Sequence, residues 1–218
     1  MLILWLLDTR SCGIVPPESI SSFYVGCQVS RVRLPMEGIA VLKQIERLSK
    51  RAYLPIIGPV EGKYLVDTVR RFSVKNVLEV GTLIGYSAIL IALNLPQEGR
   101  VVTIEINPES GRLAEENIRK AGFVDKIEVH IGNAVTVIPR IKDSFDMVFL
   151  DATKDEYLEY LKLSENKLER GGVVFAHNVK MFAHEMWDYL DYVRNSGRYK
   201  SEYVDVGFDG MEMSTKLF

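Results

Sequence analysis

The 218-residue chain contains little cysteine and carries almost no net charge. Cys12 and Cys27 are its two cysteines, and they lack metal-site spacing, which favours ordinary thiols in a reducing compartment over a disulfide framework. A disulfide between the two remains open. The formal net charge is −2, without a long basic run, which argues against binding of duplex DNA or bulk RNA. We therefore expect a cytoplasmic protein that does not bind bulk nucleic acid.

The chain also lacks a hydrophobic run long enough to span a membrane. Its apolar start, residues 2–7, stops at Asp8, whereas a transmembrane helix needs roughly 20 apolar residues. No basic residue precedes the run and no small-residue cleavage site follows closely, so a signal peptide is not expected either. Prolines and serines interrupt the rest of residues 1–35. An ordered apolar arm must pack on its own domain or on a partner, and we favour a homodimer contact.

What the sequence does contain is an alternation of strand-like and helical patterns. Amphipathic helices are predicted over 38–48 and 61–72, on either side of a Pro/Gly break at 55–59. Strands are then predicted at 76–80, 101–106, 127–131, 145–150, 172–177, 200–206 and 211–217. Helices are predicted at about 86–94, 108–121, 134–140, 154–168 and 183–194. This alternation predicts an α/β fold with a parallel sheet and helices on both faces. Residues 1–52 would form an arm and helix, and residues 53–218 the main domain.

The segment 77–89 is the clearest ligand-binding signal in this pattern. An apolar strand ends at Glu79, passes through Gly81 and Gly85, and enters a helix. Glycine allows a ligand to approach the backbone closely, and a helix N-terminus attracts negative charge. A dinucleotide fingerprint would require glycine where Leu83 and Tyr86 stand, and no P-loop ending follows. The segment therefore predicts a ligand site of another kind.

Further polar residues end the neighbouring strands, where ligands of open α/β sheets bind. Glu105 ends the second strand at the interval after the glycine turn at which nucleotide folds place an acid, so it is predicted to hold the hydroxyls of a ribose. Ile106 would then pack on the adenine. Asn133 and Ala134 follow the third strand, and Asn133 could hydrogen-bond a ring nitrogen.

The glycine segment, with its E-x-G-x-x-x-G-x-S spacing from Glu79 to Ser87, resembles motif I of the class I S-adenosylmethionine-dependent methyltransferases. Residues 145–157 closely resemble the F-D-x-x-F-x-D-A-x-K-x-x-Y signature of metal-dependent O-methyltransferases of the catechol and caffeoyl-CoA type. The resemblance covers roughly residues 53–217. It implies a Rossmann-like methyltransferase fold, with a mostly parallel seven-stranded sheet and an antiparallel C-terminal hairpin.

The same resemblance implies S-adenosylmethionine as the cofactor. The phrase Pro-x-x-Gly-Pro-x-x-Gly at 55–62 resembles the loop that closes over the methionine end of that cofactor in this family. The residues it implies for cofactor binding are Ile57, Glu79, Gly81, Thr82, Gly85, Tyr86, Ser87, Glu105, Ile106, Asn133, Ala134 and Asp151.

For catalysis, the resemblance implies that Asp151 is a metal ligand near the sulfonium and that Lys154 is the general base. The family's Asp-Asn pair of metal ligands falls on His177 and Asn178, so histidine replaces a carboxylate. Mg²⁺ prefers oxygen ligands, whereas imidazole suits transition metals. Three outcomes are open: a transition-metal site, a weak site, or no metal with His177 as the base. We favour an altered divalent metal site.

The C-terminal residues 209–212 resemble the Asp-Gly-Leu-Glu of the catechol enzymes, which implies that Glu212 orients the acceptor's second hydroxyl. Met181, Phe182 and Trp187 could cover the acceptor, although apolar residues at this spacing also suit a core.

The expected function is O-methylation of a small phenolic or catechol-like molecule, assisted by a divalent metal. A nitrogen or RNA acceptor is one alternative, which the lack of an Asn/Asp-Pro-Pro-aromatic tetrad disfavours. A cofactor-binding module without catalysis is another alternative, which the histidine at position 177 keeps open.

Overall fold

A computed structural model describes residues 36–218 of the chain. Its seven strands form one sheet in the order β3-β2-β1-β4-β5-β7-β6. Strands β1 to β5 run parallel, and β7 pairs antiparallel with both β5 and β6. The predicted sheet and its C-terminal hairpin are thereby confirmed. The strands are β1 Asn76–Val80, β2 Arg100–Glu105, β3 Ile127–Ile131, β4 Phe145–Leu150, β5 Leu168–Ala176, β6 Tyr199–Asp205 and β7 Gly210–Lys216.

Helices precede the sheet and connect its strands. They are α1 Met36–Ser49, α2 Gly58–Arg71, α3 Tyr86–Asn94, α4 Pro108–Lys120, α5 Ala134–Val137, α6 Tyr157–Ser164 and α7 Trp187–Asn195. Short 3₁₀ turns at Ile138–Arg140 and Lys154–Glu156 complete two of the predicted helices. The largest differences from the predicted bounds are four residues each: α6 ends at Ser164 rather than 168, β5 begins at Leu168 rather than 172, and α7 begins at Trp187 rather than 183. The chain before α7 is a run of turns whose backbone hydrogen-bonds to the hairpin.

Local sequence explains the entry into α4, which follows β2. Asn107 precedes the helix in an extended conformation, and its side chain accepts hydrogen bonds from the backbone N–H groups of Glu109 and Ser110 at 2.9 and 3.1 Å. Pro108 occupies the first turn, where its missing N–H is not needed. The cap fixes the helix start directly beyond Glu105 and so helps to shape the sheet edge.

Side chains from the inner strands point alternately into two hydrophobic clusters, one on each face of the sheet. Val77 and Phe149 pack in the cluster beneath α1 to α4, whereas Leu78 and Val148 pack in the cluster beneath α5 to α7. Burial on both faces explains why these strands are continuous apolar runs rather than alternating ones. Residues 36–52, which the sequence grouped with the arm, include α1, whose buried residues belong to the first cluster.

The parallel register brings the strand ends to one edge of the sheet. Val80 of β1 pairs with Ile104 of β2 and with Leu150 of β4, which in turn pairs with Ala176 of β5. The residues that follow these strands therefore open onto a common edge, as the sequence predicted.

The predicted arm, residues 1–35, lies outside the described residues, so a homodimer contact through it stays a prediction. No helix within residues 36–218 combines the length and apolarity needed to cross a lipid bilayer.

Candidate active site

A cavity of about 610 Å³ opens at the carboxyl ends of the parallel strands. It brings together residues that are far apart in the sequence. Those suggested from sequence that line it are Gly81, Glu105, Ile106, Ala134, Asp151, Lys154, His177, Asn178, Met181 and Phe182. Tyr53, Ile56, Glu61, Leu83, Tyr160, Phe208 and Asp209 also line it and carried no sequence prediction of their own.

The glycine turn forms the floor of this cavity. Gly81 has a φ of +105°, and a Cβ atom built there would lie 2.1 Å from the backbone oxygen of Asp151. Gly85 has a φ of +87° and precedes the first residue of α3. Only glycine satisfies both the backbone angle and the close approach at position 81. The turn therefore brings the end of β1 into direct contact with the end of β4.

Glu105 ties the turn to the end of β2. Its carboxylate accepts hydrogen bonds from the backbone N–H of Leu83 at 2.7 Å and from that of Asn107 at 2.9 Å. Leu83 itself has a φ of +49°, in the left-handed region that non-glycine residues seldom adopt. Each carboxylate oxygen has lone pairs beyond those used here, so Glu105 can also accept from ligand hydroxyl groups.

Glu79 differs from Glu105 because it lies beneath the cavity rather than on its wall. It is fully buried and accepts a hydrogen bond from the Thr103 hydroxyl, which in turn lies 2.5 Å from that of Thr82. Its Oε1 atom has no hydrogen-bond partner in the described part of the chain. Burial raises the pKa of Glu79 to about 7.

Several residues predicted to bind the cofactor have side chains occupied elsewhere. The Ile57 side chain is buried in the core, and Ile56 lines the cavity instead. The Tyr86 hydroxyl donates to Glu46 of α1 at 2.8 Å. The Asn133 side chain caps α5 by accepting from the N–H of Val135. Motif position alone could not show these directions, because a helix start can point its side chains toward the core. Thr82 and Ser87 are likewise buried and do not line the cavity.

Lys154 is held over the cavity by two partners. Its Nζ donates to Asp151 Oδ1 at 3.0 Å and to the Tyr157 hydroxyl at 2.8 Å. The Tyr157 hydroxyl in turn donates to the backbone oxygen of Leu150 at 2.9 Å. The lysine side chain is 16% exposed, so it is ordered by these contacts but still reaches the cavity. This geometry suits a group that exchanges a proton with a bound molecule.

His177 lies between two carboxylates. Its Nε2 is 2.8 Å from Glu61 Oε2 of α2, and its Nδ1 is 3.1 Å from Asp151 Oδ1. Burial by itself lowers the pKa of His177, but Asp151 and Glu61 outweigh it and raise that pKa to about 9. Burial likewise favours a raised pKa for Asp151, but His177 and Lys154 outweigh it and hold that pKa below its ordinary value.

The residues predicted to bind a divalent metal lie together, but part of their bonding capacity is already used within the protein. Asp151 Oδ1 is shared by Lys154 and His177, and the Asn178 amide nitrogen donates to Asp209 at 2.7 Å. Among residues 36–218, no three His, Cys, Asp or Glu side chains converge in a way that could hold a metal ion. Since Asp151 Oδ1 already contacts Lys154 and His177, and the described residues contain no such group, this arrangement does not fit a divalent ion.

Glu212 lies away from the cavity, in contrast to its predicted place beside the acceptor. Its carboxylate is buried and forms two hydrogen bonds to the Arg194 guanidinium of α7, at 2.8 and 2.7 Å. The alternation of side chains along β7 explains this position, because it directs residue 212 toward α7. Asp209, at the start of the same tetrapeptide, lines the cavity instead.

The outer wall of the cavity comes from the segment after β5 and from the β6–β7 turn. Asp209 joins the two, since its carboxylate accepts from the backbone N–H groups of Lys180 and Met181 as well as from Asn178. Met181, Phe182 and Phe208 place apolar surface on this wall. Trp187, which the sequence also suggested, does not line the cavity. The wall suits a flat, apolar molecule.

The charge on His177 should make stability depend on pH. The folded state raises the pKa of His177 from 6.5 to about 9. The stabilisation that its charged form gives to the fold is therefore complete below pH 6.5 and is lost as the pH rises through 9. We expect wild type to lose up to about 3 kcal/mol of unfolding free energy over this window relative to His177→Asn. Urea unfolding of both proteins at several pH values measures the difference, and a difference that is constant with pH would contradict the charged pairing.

The sequence of the chain was compared with those of known protein families and proteins. A family model described as O-methyltransferase matches residues 35–188. Catechol O-methyltransferase B of Danio rerio is 38% identical over 192 residues, which cover 82% of this chain and 72% of the relative. Caffeoyl-CoA O-methyltransferase 1 of Eucalyptus globulus is 35% identical over 119 residues, covering 52% of this chain and 48% of the relative.

Solved structures show the same architecture. An O-methyltransferase from Bacillus cereus in complex with SAH aligns with a TM-score of 0.74 at 27% identity, covering 81% of this chain and 90% of that chain. The O-methyltransferase TomG from Streptomyces achromogenes, in complex with SAM, aligns with a TM-score of 0.75 at 26% identity, covering 82% and 90%.

Proposed function

Because the chain belongs to the O-methyltransferase family and is an S-adenosylmethionine-dependent enzyme, we propose that it methylates a hydroxyl of a small phenolic or catechol-like molecule. The main support for this proposal is the set of residues that line the cavity. One space of about 610 Å³ is bordered by the glycine turn, by Glu105 and by the pair Asp151 and Lys154. A nucleoside donor and a small acceptor can therefore meet there.

The inner half of the cavity suits the donor. Glu105 would accept hydrogen bonds from the ribose hydroxyls, and Ile106, which is 65% exposed, offers an apolar surface for the adenine. The absence of a side chain at Gly81 lets the donor lie against the backbone. Asp151 would place its negative charge near the sulfonium.

The outer half suits a phenolic acceptor. Met181, Phe182 and Phe208 would hold the ring, and Lys154 would face its hydroxyl. The hydroxyl oxygen attacks the methyl carbon, the bond from carbon to sulfur breaks, and the sulfonium becomes a neutral thioether. The hydroxyl proton passes to the Lys154 amine, once that amine has released its own proton to solvent, and from there to solvent. The chief contribution of the protein is alignment of the two reactants.

A direct assay tests this function. Purified protein is incubated with S-adenosylmethionine carrying a labelled methyl group and with a panel of phenols and catechols, in the presence and absence of Mg²⁺. We expect the label to appear on one or more of these acceptors. Calorimetry that shows S-adenosylmethionine binding without any transfer would favour a binding module that lacks catalysis.

The donor assignment predicts a specific loss of affinity. Glu105→Gln should weaken S-adenosylmethionine binding by about 10- to 100-fold, because a charged acceptor to the ribose becomes a neutral one. Glu109→Gln, which changes the same kind of side chain on the exposed first turn of α4, serves as the control. Isothermal titration of both variants gives the two dissociation constants, and equal constants would argue against a ribose at Glu105.

A further inference from the structure

His177 replaces the aspartate of the family's Asp-Asn pattern. The residues around it indicate how this replacement affects metal binding. Its side chain is only 6% exposed and lies between Glu61 and Asp151. Glu61 comes from α2, far from His177 in sequence, and carried no prediction of its own. The helix that precedes the glycine turn thus reaches across to the end of β5.

The contacts of the ring define its charge. A neutral imidazole has one N–H and one lone pair, so one of its nitrogens would face a carboxylate with a lone pair. Nδ1 is buried and forms no aligned hydrogen bond, yet it lies 3.1 Å from Asp151 Oδ1. A lone pair at that distance from a carboxylate oxygen would be repelled. With Nε2 also bound to a carboxylate, the two acidic neighbours favour the cationic ring, which carries a proton on each nitrogen.

Within the cluster of Glu61, Asp151, Lys154 and His177, the formal charges then balance without an added ion. Glu61 and Asp151 supply two negative charges, and His177 and Lys154 supply two positive ones. A divalent cation bound here would have to displace the contacts that Asp151 Oδ1 makes with Lys154 and with His177 Nδ1. A cation placed between them would also meet the positive charges of His177 and Lys154.

We propose that His177, held in place by Glu61, takes the position of a divalent metal in this chain and that methyl transfer proceeds without one. This inference rests on the proposed function. His177 acts as a positioning residue, since it touches Asp151 rather than the reactants. Its positive charge holds the Asp151 carboxylate in place beside Lys154, which remains the group that meets the acceptor hydroxyl.

The experiment compares wild type with His177→Asp, which restores the carboxylate of the Asp-Asn pattern. Both proteins are stripped with EDTA, and calorimetry measures binding of Mg²⁺, Mn²⁺ and Zn²⁺ alone. Wild type should bind none of the ions at 1:1 stoichiometry, and its transfer rate to catechol should change less than about twofold with EDTA. His177→Asp should bind Mn²⁺ or Mg²⁺ and should need the ion for at least about a tenfold gain in rate.

Stoichiometric binding of an ion to wild type, or a wild-type rate that EDTA abolishes and the ion restores, would overturn the proposal. If wild type methylates none of the phenols, the proposed function fails, but the binding data still decide this inference.

Glu61→Gln provides a second test in case His177→Asp does not fold. It should lower the transfer rate about tenfold without any rescue by Mg²⁺ or Mn²⁺, since it loosens His177 without creating a metal ligand. Asp67→Asn removes a charge from the exposed side of the same helix and should leave the rate unchanged. A rate for Glu61→Gln that the metal restores would contradict the proposal.

Discussion

Lys154→Met should lower kcat for methyl transfer by about 10²- to 10⁴-fold, the range typical of a lost general base. Methionine preserves much of the side-chain length but cannot accept a proton. The affinity for S-adenosylmethionine should change little, because Lys154 contacts Asp151 and Tyr157 rather than the glycine turn. Single-turnover rates with catechol, together with calorimetry for the donor, separate the two effects.

Two further variants distinguish proton transfer from charge. Lys154→Arg keeps the positive charge but cannot lose it near neutral pH, so it should be nearly as slow as Lys154→Met. Tyr157→Phe removes one of the two hydrogen bonds that hold the lysine and should cost much less, about tenfold or below. An arginine variant that retains most of the wild-type rate would show that Lys154 supplies charge rather than a proton acceptor.

Gly81→Ala should destabilise the fold by at least about 3 kcal/mol and abolish donor binding. The added Cβ would lie 2.1 Å from the backbone oxygen of Asp151 and 2.7 Å from its carbonyl carbon. Neither is the end of a flexible side chain, so β1 and β4 must separate at the proposed donor site. Urea unfolding measures the stability loss, and isothermal titration with S-adenosylmethionine measures the binding loss.

Gly171→Ala is the matched control for this variant. Gly171 also has a positive φ, of +79°, but a Cβ atom there would meet nothing within 4 Å. Its replacement should cost only about 1–2 kcal/mol for the left-handed backbone and should leave donor binding intact. Equal losses in the two variants would mean that backbone angle, rather than the contact with Asp151, makes glycine necessary at position 81.

The order of the elements could be predicted from the sequence because its signals are local. Apolar runs such as 145–150 mark buried parallel strands, and Asn107 with Pro108 marks the start of α4. The edge on which the ligand residues meet also follows from local pattern, since the carboxyl ends of parallel strands lie together. Gly81 and Glu105 were predicted from this pattern, whereas Asp151 and Lys154 were predicted from the resemblance of residues 145–157 to a family signature; all four line the cavity.

The parts that sequence could not supply depend on contacts between distant residues. Nothing in the local sequence of Glu61 indicates that it meets His177, 116 positions later. Likewise, the short match around Glu212 could not show that the carboxylate pairs with Arg194. Their side-chain directions are set by the packing of α2 and α7 on the sheet, which only the assembled fold defines.

The link between Asp209 and the backbone of Lys180 and Met181 has a consequence for how specificity can change. The outer wall of the cavity belongs to the β6–β7 hairpin and to the segment after β5 that is hydrogen-bonded to it, not to the parallel strands. Insertions or exchanges at 206–208 can therefore reshape that wall without changing the residues proposed to bind the nucleoside. Acceptor specificity can therefore diverge in this fold without changes to the residues proposed to bind the methyl donor.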